Sequence, residues 1–412
     1  MTLLANYNRA PVTFVKGEGC ELIDRSGRRY LDMIGGIAVC ALGHSHEAIA
    51  HAVAEQARTL VHCSNLFGFE PSETLARELC ARSGFDRVFF CNSGTEANEA
   101  AIKLARKFAY RRGERDRATI LSCSGGFHGR TLGSLAATPN ETYQEGFGPM
   151  PAEFGVTPFN DVPALASAMN DGVAALIVEP VQGESGVMVA DVAFLQAARD
   201  LCSKHGALLI FDEIQCGMGR LGPLFAFQRF GVAPDVVTMA KALANGLPIG
   251  AMLVRETFAD GLRPGDHGST FGGSPVPCAA ALAHLRVRDE MHLERHVNVV
   301  SAVLFDALRQ LADERPDIFG QPRGLGLLAG LPVIPPADAA AIVDRARTDS
   351  LVLMNRAGGN TIRFAPPLTV TEAQIARAVR ALRDAAPKAP PNRSAKNSPS
   401  CVESEPLRST HS

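Results

Sequence analysis

The stretch RVFFCNSGTEANEAAIKLARKFAYRRG, residues 87–113, passes from a short apolar run through a polar glycine turn into a long amphipathic pattern. RVFFC reads as a buried strand, and the apolar positions after the turn recur at helical spacing. The same strand–turn–helix order returns downstream. TILSC, AALIVEPV, ALLIFDEIQ and DVVTMAK are further short, β-rich runs with helical patterns between them. Apolar runs alternating with helices predict an α/β fold whose mostly parallel central sheet is covered on both faces.

The flanking sequence has a different grammar. Residues 12–39 alternate apolar and polar around Gly17–Gly19 and Ser26–Gly27, which predicts short antiparallel strands joined by tight turns. Helical patterns follow at about His46–Leu60 and Ser72–Arg82, and residues 278–313 read as one or two helices. Beyond them GLLAGLPV and NTIRFAPPL read as strands, with helical patterns at Ala337–Asp349 and Thr371–Ala385. These segments divide the chain into residues 1–60, an N-terminal segment packing with a small domain; 61–280, a large α/β domain; and 281–386, the small α+β domain. Residues 387–412, rich in Pro, Ser and charge and without periodicity, are expected to be a disordered tail.

Composition narrows the function classes. The chain has 412 residues, a hydrophobic fraction of 46% and a charged fraction of 20%, as an ordinary globular protein does. Its 41 basic and 43 acidic residues are dispersed, giving a net charge of −2. There is no basic stripe for nucleic acid or an anionic membrane, so a small molecule is the expected partner. Ten cysteines stand singly without CxxC spacing, which predicts free thiols in a reducing compartment. The N-terminal text lacks the charged and apolar regions of a secretory signal, and no run approaches the ~18–20 apolar residues that span a bilayer. Cytoplasm is the default. His44 and His46 in GHSH have no third ligand nearby, so they are expected to cap the following helix rather than hold a metal.

Polar clusters stand at the carboxyl ends of the apolar runs, where open α/β sheets hold ligands. Ser93, Gly94 and Thr95 would present N–H and hydroxyl groups at a helix N-terminus, which favours an anion such as phosphate. The same residues also fit an ordinary helix cap. Asp212 and Glu213 end ALLIFDE, either as solvated acids, as a metal site, or as a carboxylate facing a ring nitrogen. Lys241 follows DVVTMA at the tip of a strand, where it either snorkels to water or, partly desolvated, becomes a nucleophilic amine. Phosphate cradle, acid and lysine together form the set that holds pyridoxal 5'-phosphate: lysine for the aldehyde, acid for the pyridine nitrogen, helix end for the phosphate.

The chain resembles the class III aminotransferases, of fold type I among pyridoxal-phosphate enzymes, over roughly residues 6–386. SGTEANEAAIKLAR, FHGRT, VEPVQGESG, FDEIQCGMGRLG, MAKALANGLPIGA and HGSTFGGSP carry the resemblance in family order. YNRAPVTFVKGEGCELIDRSGRRYLDMIGGIAVCALGH and HCSNLF are similar to the acetylornithine subgroup. The resemblance implies that Ser93, Gly94 and Thr95 hold the cofactor phosphate, with Phe127 and Ile214 packing on opposite faces of the ring. It implies that Asp212 pairs with the pyridine nitrogen, Gln215 sits near the ring hydroxyl, and Lys241 forms the Schiff base. Thr270 is similar to a threonine that reaches the phosphate from the second subunit of a homodimer. Arg130 is similar to the residue that binds the distant carboxylate of an ω-amino substrate, and Arg363 to the one that takes the α-carboxylate of glutamate or 2-oxoglutarate. Glu184 is similar to the acid that masks Arg363 when an amine donor is bound. Asn65 and Ser269 are expected to bind substrate.

The implied reaction is a ping-pong transamination between an amine donor, N2-acetylornithine or N-succinyl-diaminopimelate, and 2-oxoglutarate. Ornithine, succinylornithine and 4-aminobutyrate are alternative donors, and an aminomutase is an alternative reaction. A nucleotide- or NAD-binding protein using the Ser93–Thr95 turn, or a catalytically dead binding protein, would belong to another class. Two positions depart from the family text: Ser274, where Asn usually follows FGG, and NLFGFE at Asn65–Glu70, near the expected substrate entrance.

Overall fold

The computed structural model describes residues 2–387. The expected tail, 387–412, lies outside the described residues beyond Pro387.

A seven-stranded sheet forms the centre, in the order Arg87–Cys91, Gly250–Val254, Val236–Met239, Leu208–Asp212, Val173–Val178, Thr119–Cys123, Phe154–Thr157. The last five run parallel to one another, and Gly250–Val254 is antiparallel to both strands beside it. Val173–Val178, Leu208–Asp212 and Val236–Met239 are buried at every position, as strands covered on both faces must be. Gly94–Arg111 turns its apolar face, including Ile102, Leu104 and Ala105, into one of two hydrophobic clusters, and the larger cluster fills the other face and continues into the C-terminal part.

Registry fixes the site. Phe211 is opposite Val178 and Asp212 is opposite Thr238 in adjacent parallel strands. Glu179, Asp212 and Lys241 therefore leave the sheet side by side at its carboxyl edge.

Arg323–Leu325, Leu328–Pro332, Thr361–Phe364 and Asn355–Ala357 form a second, antiparallel sheet, which places Arg363 opposite both Gly330 and Asn355. The N-terminal strands Phe14–Glu18, Glu21–Asp24 and Arg29–Asp32 form a meander whose last strand pairs in parallel with Val352–Leu353. The strand pattern expected to reach residue 39 stops at Asp32. Asp32 Oδ1 accepts the N–H groups of Ile34 and Gly35, each at 2.9 Å, and the backbone then turns left-handed through Gly35, Gly36, Ile37 and Ala38. Positive φ at Ile37 is strained for a β-branched residue.

The histidines of GHSH do not cap by side chain. His44 Nε2 pairs with Asp32 Oδ2 at 2.8 Å, and His46 occupies the N-cap position without a side-chain hydrogen bond. The nine described cysteines are unpaired. Among the described residues no helix is long and apolar enough to cross a membrane.

Candidate active site

A cavity of about 370 Å³ opens at the carboxyl edge of the central sheet, lined by Ser93, Gly94, Thr95, Phe127, Arg130, Asp212, Ile214, Gln215 and Lys241 among others. Nine of the expected site residues thus meet in one place.

One end of the cavity is the start of the Gly94–Arg111 helix. Ser93 caps it through its side chain, while Glu96 accepts the Ser93 hydroxyl at 2.8 Å and the Asn92 N–H at 2.9 Å. The first N–H groups of any helix lack partners within it, so this end is an anion cradle. At Gly94 a Cβ would lie 2.7 Å from Ile214 Cδ1, so any larger residue would push Ile214 aside. Gly129, at φ +143°, is required because a Cβ would collide with the Thr95 hydroxyl.

Asp212 is buried, and its two oxygens have different surroundings. Oδ2 accepts from Asn98 Nδ2 and His128 Nδ1, each at 2.8 Å, while among the described residues Oδ1 receives only the Ile214 N–H at 3.1 Å. Thr238 donates to Asn98 Oδ1 at 2.7 Å, which fixes the amide so that its N–H groups face Asp212 and the His128 carbonyl. The saturated oxygen anchors the carboxylate and leaves Oδ1 for a donor in the cavity.

Lys241 begins a 3-10 turn, Lys241–Ala244, with φ +38°. The chain therefore breaks out of the strand at this residue and sends the amine into the cavity. Burial lowers its pKa below the ordinary lysine value, with Glu184 opposing and Arg363 reinforcing the shift. Glu179, one residue past an all-apolar strand, also lines the cavity. Burial, with the Asp212 charge beside it, holds its carboxyl well above the ordinary value, and its Oε1 accepts the Phe127 N–H at 2.8 Å.

Arg363 and Glu184 stand behind this wall and reach it through Gln215. Arg363 Nη1 is 2.6 Å from Glu184 Oε1, 3.0 Å from Gln215 Oε1 and 2.9 Å from the Gly183 carbonyl. Gln215 Nε2 donates to Glu184 at 3.1 Å, so both ends of the Gln215 amide are engaged with this ion pair. Burial acts to raise the Glu184 carboxyl, but the charge and hydrogen bond of Arg363 outweigh it and hold it below its ordinary value.

Besides Glu184 and Arg363, three expected residues, Asn65, Ser269 and Thr270, are not on the cavity wall of their own chain. The amide of Asn65 donates to the Ser269 and Gly272 carbonyls, at 2.9 and 3.0 Å, and so staples the 269–272 loop. Ser269 Oγ accepts from Asn92 Nδ2 at 3.1 Å, and Thr270 is exposed.

Sequence reasoning passed over Val39, which the strained left-handed turn delivers to the cavity, and the set Asn98, His128, Thr238 and Glu179. A signal existed for two of them. Glu179 ends an apolar strand just as Asp212 does, and Asn98 is a polar residue on the buried face of a helix.

Comparison with known proteins places these motifs in context. The family Aminotransferase class-III matches residues 3–386 of this chain. The acetylornithine aminotransferase of Methanocaldococcus jannaschii is 45% identical over 376 residues, 91% of this chain and 94% of that one. A structure of the Toxoplasma gondii ornithine aminotransferase, with partial occupancy of PLP at its active site, superposes with a TM-score of 0.89 at 34% identity, covering 93% of this chain and 92% of that one. The N-acetylornithine aminotransferase of Stenotrophomonas maltophilia superposes with a TM-score of 0.81 at 38% identity, covering 92% and 97%.

Proposed function

Because this chain belongs to the class-III aminotransferases, a family that works with pyridoxal 5'-phosphate, we propose that it moves the terminal amine of N2-acetyl-L-ornithine to 2-oxoglutarate. The products are N-acetylglutamate 5-semialdehyde and glutamate, a step of arginine biosynthesis, with N-succinyl-diaminopimelate as a second donor. The observation that carries the reading is the unequal state of two arginines at one lysine-bearing cavity. Arg130 lines it with no acid paired to it among the described residues, while Arg363 is neutralised by Glu184. The similarity to acetylornithine aminotransferases supports this donor.

The residues fit the cofactor. A helix N-terminus meets a phosphate, Phe127 and Ile214 offer apolar surface to a ring, Asp212 keeps one oxygen for a ring nitrogen, and Lys241 offers an amine. When bound, pyridoxal phosphate supplies an aldehyde that takes up amines and a ring that accepts the electron pair left by a departing proton. Lys241 would hold that aldehyde between turnovers, and its amine, once freed, would serve as general base at the donor carbon. Its lowered pKa leaves more of the amine neutral and able to take the proton. Asp212, anchored through Oδ2, would hold a proton on the ring nitrogen.

Arg130 takes the donor's distant carboxylate. Glu184 keeps Arg363 from meeting the donor's apolar chain as a bare buried charge. When 2-oxoglutarate enters, Glu184 yields and Arg363 pairs with the α-carboxylate. Adding 2-oxoglutarate to the amine-loaded holoenzyme tests the reaction type: glutamate is expected, and its absence would sink the transaminase reading in favour of an aminomutase.

We further propose a homodimer in which Thr270 completes the partner's phosphate cradle and Asn65 and Ser269 line the entrance. The exposed position of Thr270, beside exposed Phe271, Leu66 and Phe67, supports this. A monomeric mass for the holoenzyme by light scattering would contradict it. We propose the division into 1–60, 61–280 and 281–386; the pairing of Arg29–Asp32 with Val352–Leu353 supports the packing of the first segment with the small domain, and limited proteolysis tests the boundaries. The unpaired thiols support a cytoplasmic location, which cell fractionation checks.

A further inference from the structure

We infer that Tyr143 is a positioning residue for donor specificity: its ring holds the Arg130 guanidinium by the face and so presents the guanidinium's edge to the donor carboxylate. The inference deepens the reading of Arg130 given above and rests on it.

The Arg130 Cζ lies 3.9 Å from the Tyr143 ring centroid and 5.5 Å from that of Phe127. The Phe127 and Tyr143 rings meet edge to face, 6.0 Å apart at 88°. One cluster thus joins an aromatic wall of the cavity to the arginine at its mouth. The backbone N–H of Arg130 goes to Thr95 Oγ1, while its side chain rests on the tyrosine, and among the described residues no carboxylate pairs with it.

A guanidinium carries its five N–H donors in its plane, and when it stacks on an aromatic ring it meets that ring with its face. An aromatic holder therefore fixes the direction of the fork without consuming a donor or cancelling the charge. An acid would do both, as Glu184 does at Arg363. The two arginines differ accordingly: one is gated by a carboxylate, and the other is held open by a ring.

Tyr143 is itself held in place. It lies in the short helix Glu141–Gln144, where Asn140 Oδ1 accepts the Tyr143 N–H at 3.3 Å. Gln144 Nε2 donates to the Leu135 and Thr138 carbonyls at 3.0 and 2.9 Å, tying this turn to the segment that follows Arg130. Ring and guanidinium therefore share one local frame.

The test compares Tyr143→Leu, Tyr143→Met, Tyr143→Phe and Arg130→Gln in the holoenzyme, with N2-acetylornithine and with a carboxylate-free amine, pentylamine, as donors. Removing the ring face should raise the acetylornithine KM roughly 5- to 20-fold while kcat stays within about twofold. The same variants should leave kcat/KM for pentylamine and the cofactor absorbance unchanged, because neither involves the carboxylate. Tyr143→Phe keeps the face and should restore the wild-type KM. The inference is overturned if Tyr143→Leu and Tyr143→Met keep a wild-type acetylornithine KM while Arg130→Gln raises it. It is equally overturned if Tyr143→Phe is as impaired as Tyr143→Leu, or if both donors suffer alike. A wild-type KM in Arg130→Gln removes the underlying reading of Arg130, and the inference with it.

Discussion

Replacing Glu184 with glutamine separates the two halves of the proposed reaction. Arg363 is almost wholly buried, and Glu184 supplies the only charged partner among its contacts, at 2.6 Å. The Gly183, Gln215 and Asn355 oxygens that remain are neutral. A hydrogen bond to a charged group contributes about 1.5–3 kcal/mol net, and the 27% exposure of the Glu184 side chain points to the lower half of that range. Roughly 1.5–2 kcal/mol corresponds to about a 10- to 30-fold slower step. The loss should fall on the amine-donor half-reaction, where the variant leaves Arg363 facing the donor as an unpaired charge. Glutamate brings its own carboxylate to Arg363, so its half-reaction should stay within about threefold of wild type. Single-turnover kinetics, following the cofactor absorbance with acetylornithine and separately with glutamate, measures both. Equal slowing of the halves, or greater slowing with glutamate, would refute the gating argument.

Lys241→Ala should fold and retain the melting temperature of the apoprotein, yet lose the absorbance of lysine-bound cofactor and at least about 10³-fold in turnover; absorbance and steady-state rates check this, and appreciable residual activity would refute the assignment. His44 offers a pH test of stability. Its hydrogen bond to Asp32 raises its pKa from 6.5 to about 9, so the pair's stabilisation is full below 6.5 and is lost as pH rises through about 9. Thermal melts from pH 6.5 to 9.5 should therefore show wild type losing stability relative to His44→Gln, and parallel curves would contradict the linkage.

The parts of the site that were legible in the sequence follow strand ends. Asp212 and Lys241 each close an apolar run, and Ser93–Thr95 open a helix, so a parallel sheet brings them to one edge whatever the strand order. What was not legible depends on neighbours distant in sequence. Asn98 meets Asp212 and Thr238 only because the Gly94–Arg111 helix packs across those particular strands. The antiparallel Gly250–Val254 strand, inserted between Arg87–Cys91 and Val236–Met239, sets that placement. Gln215 shows the same limit: its motif brings it to the cavity, but its hydrogen bonds go to Glu184 and Arg363. His44 was read as a cap because the helix follows it directly, whereas Asp32, twelve residues earlier, takes its ring.

The central claim concerns which amine this pocket accepts. The measurement that tests it most directly is a donor panel on the purified holoenzyme with 2-oxoglutarate, comparing N2-acetylornithine, succinylornithine, ornithine and 4-aminobutyrate by glutamate formed. N2-acetylornithine is expected to show the highest kcat/KM. A higher value for ornithine or 4-aminobutyrate, or no glutamate from any donor, would contradict it.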